Sequence, residues 1–124
     1  MGTIGAGKND RMKIDLDNRK FKPQSNTENG EVSEDTIFYY KQSDNIISAD
    51  YQGEDIVKGN LIGKVVDNKY LDFVYHHINV NGEIMTGVCQ SYPEILDSGK
   101  MILREFWQWT CKDKSKGESI LIEL

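Results

Sequence analysis

Turn signals at short, regular spacing are the feature that most limits what this chain can fold into. Asn29-Gly30, Asp44-Asn45, Gln52-Gly53, Asp67-Asn68, Asn81-Gly82, Ser98-Gly99 and Lys116-Gly117 punctuate it almost from end to end. Such pairs accept the positive φ that tight hairpin turns require. Between them lie short runs rich in Ile, Val, Tyr, Phe, Trp and Thr, the residues that suit a pleated, half-buried surface. The pattern predicts strands over 18–24, 35–42, 45–52, 55–66, 70–80, 83–92, 100–111 and 118–123. No window carries a 3.6-residue apolar repeat over three turns. The stretch 91–99, which contains Pro93, reads as the longest loop.

Short connections force neighbouring strands to pair antiparallel. With 124 residues the chain has material for one domain. The expected fold is therefore all-β, a single-domain antiparallel up-and-down meander of about eight strands. An open sheet of that kind leaves two unpaired edges, and closure removes them. A closed or partly open barrel is the first expectation and a two-sheet sandwich the second. Gly59, Gly63 and Gly87 fall inside predicted strands and read as bulges or bends where the sheet curls. Residues 1–17 read as a flexible leader, of which 1–11 are expected to be dispensable, and 18–124 as the barrel domain.

Charge and composition exclude several function classes. The net charge is −5, and it is unevenly spread: residues 1–24 carry six Lys/Arg against three Asp/Glu, residues 25–124 nine against seventeen. An acidic body lacks the clustered positive surface that nucleic acid requires, so no nucleic-acid partner is expected. The apolar runs are too short for a membrane-crossing helix. No apolar leader of the secretory kind stands at the start, so a cytoplasmic location is expected, with Cys89 and Cys111 as free thiols. Gly2, Gly7 and Lys8 match a phosphate-binding glycine loop. Asn9 stands where that loop needs Ser or Thr, and no strand precedes it, so the match carries nothing. The glycine turn with which common acetyl-CoA transferases hold a diphosphate at a helix N-terminus is not found beyond these first residues.

Alternation along the strands names the candidate site. In the fourth strand Val57, Gly59, Leu61, Gly63 and Val65 share one face, read as inward. In the fifth, Leu71, Phe73, Tyr75, His77 and Asn79 form the more apolar face, which ends in polar groups. In the seventh, Met101, Leu103, Glu105, Trp107 and Trp109 oppose Ile102, Arg104, Phe106, Gln108 and Thr110, and either set could face inward. If the Leu103 set does, Glu105 is a buried carboxyl that needs a partner, with His77, Tyr75 or Asn79 the natural ones. The candidate pocket is then Tyr75, His77, Asn79, Glu105, Trp107 and Trp109. His76 and His77, being adjacent, point to opposite faces, so no metal site is expected, nor is a cofactor. No Ser-His-Asp order or nucleophile elbow is present, and no catalytic residue is assigned.

Several strings resemble a family of short bacterial proteins often labelled N-acetylglutamate synthase. They are Ser25-Asn26-Thr27-Glu28-Asn29-Gly30-Glu31-Val32, Leu61-Ile62-Gly63, Tyr75-His76-His77-Ile78-Asn79, Met85-Thr86-Gly87, Pro93-Glu94, Trp107-Gln108-Trp109-Thr110 and Gly117-Glu118-Ser119. The resemblance runs from about residue 18 to the C-terminus. It implies an N-acetyltransferase, and no catalytic residues come with it. The expected architecture is also similar to the lipocalin, or calycin, type of barrel, by analogy. Three functions are thus expected in order: a non-enzymatic barrel binding a small molecule or a protein partner, an enzyme (an N-acetyltransferase, or an isomerase-like acid/base catalyst using Glu105 and His77), and a structural protein that forms a homodimer.

Overall fold

The computed structural model describes residues 13–124. Eight strands follow one another: β1 (Lys20–Asn26), β2 (Ile37–Ser43), β3 (Ile46–Gly53), β4 (Ile56–Val66), β5 (Tyr70–Asn79), β6 (Ile84–Ile95), β7 (Met101–Trp109) and β8 (Lys116–Glu123). Each pairs antiparallel with its neighbours in sequence, and β1 pairs with β8, so the sheet closes into an up-and-down barrel. Closure satisfies the two edges that an open meander would leave bare. The turn chemistry acts as expected between β4 and β5, where Asp67 and Asn68 both sit at φ 52° and the Lys69 N–H closes the turn on the Val66 carbonyl.

Two stretches differ from the sequence expectation. The run 91–99 is not the longest loop: β6 continues through Pro93 to Ile95, paired with β7 down to Met101. The longest connection is 27–36, between β1 and β2. The second difference is Val57, which is 57% exposed rather than inward. The register shifts between Ile56 and Lys58 against β5, and a bulge of one residue reverses the alternation, so Ile56 takes the inner position.

The glycines inside the strands do not mark bulges. Gly59, Gly63 and Gly87 lie directly opposite Tyr51, Phe73 and Tyr75 on the neighbouring strands, as Gly117 lies opposite Trp107. A Cβ at Gly87 would stand 2.1 Å from the Tyr75 ring, and one at Gly59 2.5 Å from the Tyr51 ring. At Gly59, Gly87 and Gly117 the missing side chain leaves a seat for an inward aromatic ring against the sheet, whereas at Gly63 the close neighbours are the Asp72 carbonyl and the Phe73 Cα and Cβ.

Turns between alternate strands gather at opposite ends of an up-and-down barrel, and the two ends are finished differently. At the β2–β3 and β4–β5 end, Leu16 is fully buried in the core. The Leu16 N–H bonds to Gln42 Oε1, and the Ile14 N–H to Asn68 Oδ1. Most of the leader expected over 1–17, and all of the stretch expected to be dispensable, lies outside the described residues. Its last part, 13–17, is held against the barrel by these contacts. At the other end the loop 27–36 folds over the opening and bonds to each of the three turns it meets. Ser33 Oγ donates to Glu54 Oε1 and Thr36 Oγ1 to the Gly53 carbonyl. Asn29 Nδ2 donates to Ser115 Oγ and the Lys116 carbonyl. Glu31 joins the group at the end of β5 described next.

Candidate functional site beneath the 27–36 loop

Under this loop the barrel is not filled. A cavity of about 50 Å³ remains. Its wall is largely aromatic: Phe38, Tyr51, Phe73, Tyr75, Trp107 and Trp109, with Leu61 and Cys89 between them. The Leu103 face of β7 is the buried one, which settles the alternative that alternation left open. Tyr75, His77, Glu105, Trp107 and Trp109 all line the cavity. Asn79 does not. It is buried one step beyond His77, where its side chain donates to Glu31 and Glu83.

The loop supplies what alternation could not find. Glu31 Oε1 lies 2.7 Å from His77 Nε2, and Tyr51 Oη lies 2.9 Å from His77 Nδ1. Burial lowers the His77 pKa below that of a free imidazole, and the Glu31 carboxylate pulls the other way. Lys112 pairs with Glu83 behind this group and holds its carboxyl below the usual carboxylate range. The two tryptophans also fasten the loop. Trp109 Nε1 donates to the Asn29 carbonyl at 3.0 Å. Trp107 Nε1 donates to Asn26 Oδ1, whose amide in turn donates to the Val32 carbonyl. Loops carry no period, so Glu31 escapes a pattern argument. Its only mark in the sequence is the string Ser25–Val32, which the family resemblance already singled out.

Glu105 does not pair with His77, Tyr75 or Asn79. It sits lower in the barrel, in one cross-strand row with Ser91 on β6 and Ser119 on β8. Ser119 Oγ reaches Oε1 at 3.5 Å, while Oε2 is buried without a hydrogen-bond partner among the described residues. Burial pushes its pKa up to about 7, and the Ser91 and Ser119 hydroxyls hold it back. Burial, with the nearby Glu105 charge, likewise raises the Tyr51 and Tyr75 phenols, which stay protonated at neutral pH. His76 points outward and His77 inward, and among the described residues no group of three His, Cys, Asp or Glu is placed to hold a metal.

The arrangement is that of a receptacle: aromatic walls, a few polar groups at fixed places, and a cover tied down by side chains of the wall. Compared with known proteins, residues 14–124 match the family described as avidin-like protein. No curated protein and no solved structure matches the chain. The resemblance to proteins labelled N-acetylglutamate synthase gains no support from these comparisons. With the match covering nearly the whole described barrel, the chain belongs to the avidin-like protein family.

Proposed function

We propose that this protein is a non-enzymatic binder of a small organic molecule, held inside the barrel under the 27–36 loop. The observation that carries the reading is the cavity itself, where Tyr75, His77, Glu105, Trp107 and Trp109 converge beneath a loop bonded to three turns. A barrel whose only task is to be stable would fill this space with side chains, as it does around Leu16 at the opposite end. Membership of the avidin-like family supports the same reading and puts biotin among the compounds to test.

Size narrows the ligand. Pockets for drug-sized molecules measure upwards of roughly 300 Å³, well above the cavity enclosed here. The occupant is either a compound of a few heavy atoms or a larger one that displaces the loop and leaves part of itself outside. Both tryptophans of the chain line the cavity, so tryptophan fluorescence reports on it alone. The test is a fluorescence titration against biotin and a panel of small neutral, cationic and anionic compounds. At least one should give a saturable change together with a raised melting temperature. A panel in which no compound does both would sink the reading.

A further inference from the structure

Resting on the reading of the cavity as a ligand site, the charge of its lining narrows the ligand's class. Two of the lining residues are carboxylic acids, Glu31 and Glu105, and none is lysine or arginine. Lys112, a cationic side chain at this end, is exposed and bound to Glu83. Glu31 is engaged by His77 and Asn79. Glu105 is less fully engaged: its residue is 6% exposed, Ser119 Oγ stands 3.5 Å from Oε1, and Oε2 and the Oγ of Ser91, the residue directly opposite, both lack a hydrogen bond among the described residues. A buried polar atom left without a partner costs free energy, and such atoms in native proteins call for an explanation. Six aromatic rings line the same cavity, and ring faces carry the negative lobe of the ring quadrupole and attract cations. An anion would meet carboxyl groups and ring faces with no donor of positive charge to balance it.

From this geometry we infer that the ligand is a small organic cation with N–H donors, an ammonium or amidinium, which donates to Glu105 Oε2 between the aromatic walls. The titratable groups near Glu105 are Tyr40 on β2, Tyr51 on β3 and Tyr75 on β5 across the barrel, and Cys89 on the adjoining β6. Burial raises the pKa of each, so they keep their protons at neutral pH. Among the described residues below the rim, Glu105 is the group whose proton moves near neutrality. Below its pKa the empty site holds Glu105 as the neutral acid. When the cation arrives, the carboxyl releases this proton to solvent and remains as carboxylate, so charge balances inside the barrel.

Three isosteres make the test. Acetamidinium, acetamide and acetate share shape and size and differ in charge. Each is titrated into the full chain at constant ionic strength, with tryptophan fluorescence as readout. Acetamidinium should bind at least tenfold more tightly than acetamide, and acetate should not bind. Acetamidinium affinity should rise about tenfold between pH 6 and pH 8, as expected for one proton lost from a group with a pKa near 7. The variant Glu105→Gln should abolish both the preference for the cation and the pH dependence. Should that variant not fold, the pH profile of the unaltered protein decides by itself. Acetamide binding as tightly as acetamidinium, or a flat pH profile, overturns the inference and leaves the ligand-site reading standing. If none of the three binds while another member of the panel does, this inference alone falls. If the whole panel fails as well, both fall.

Discussion

A carboxyl group at the depth of Glu105 acts on stability as well as on binding. Its pKa lies near 7 when folded, against 4.5 for the free side chain. The folded state therefore holds a proton that the unfolded chain has lost between these two values, and stability falls as pH rises through that window. The whole shift is worth at most about 3 kcal/mol, the penalty being complete above pH 7. A glutamine has no charge to bury, and the Ser91 and Ser119 hydroxyls are near enough to meet its amide. Glu105→Gln should thus match the parent near pH 4 and exceed it by about 1–3 kcal/mol at pH 8, read from urea unfolding. A variant weaker than the parent at pH 8 would show that the carboxylate is held by partners other than these two serines. At His77 the sign is opposite. Its pKa is lowered, so its neutral form stabilises the fold above the usual imidazole value, and that contribution is lost as pH falls. Followed by NMR, His77 should titrate below 6.5, and Glu31→Gln should move the midpoint further down, because the carboxylate that favours the imidazolium is then gone. Alternation brought His77 to the inner face and left Glu105 on one of two faces of its strand, either of which could be inward. It could not pair them correctly, because which inner residues meet is set by the stagger of eight strands around a closed cylinder, a quantity no local pattern holds.

At the scale of the strand, the pairing of an aromatic ring with a glycine across the ladder is what keeps the cavity open yet walled. Tyr51 on Gly59, Tyr75 on Gly87 and Trp107 on Gly117 repeat it on three hairpins. The rings lie along the sheet instead of projecting to the barrel axis. Gly87→Ala pushes a methyl into the Tyr75 ring and should cost about 1–3 kcal/mol in unfolding free energy, as overpacking does. It should also alter the fluorescence of Trp109, which contacts Tyr75 edge to face at 5.8 Å between ring centres. An alanine variant as stable as the parent would mean the ring has room to swing inward. The strands themselves were legible because turn pairs and β-branched or aromatic runs agree along most of the chain. Two features were not. Pro93 reads as a breaker, yet a strand tolerates it where its missing N–H is not needed by the ladder. The bulge at Val57 leaves no trace, because Ile56 and Val57 are equally apolar and either could be the inward one.

The molecule as a whole is a cylinder with one end stoppered and the other lidded. Leu16, fully buried at the stoppered end, should cost about 2–5 kcal/mol when replaced by alanine, measured by chemical denaturation. A loss below about 1 kcal/mol would show that the core closes without it. Ligand affinity at the opposite end should be little changed in the same variant, because Leu16 and the cavity lie at opposite ends of the barrel and Leu16 does not line the cavity.

The seam between β1 and β8 has a consequence in time. A ribosome delivers the chain from its N-terminal end, so Lys20–Asn26 is among the first strands to emerge and its partner Lys116–Glu123 among the last. Throughout that interval the growing meander carries two open edges, with outward residues such as Ile62, Val74 and Val88 beside them. A chain halted before β8 should aggregate where the finished one does not. The strand that closes the seam thus guards against aggregation, and a frameshift within Lys116–Glu123 should be felt in the test tube as precipitate before it is felt as any change at the cavity.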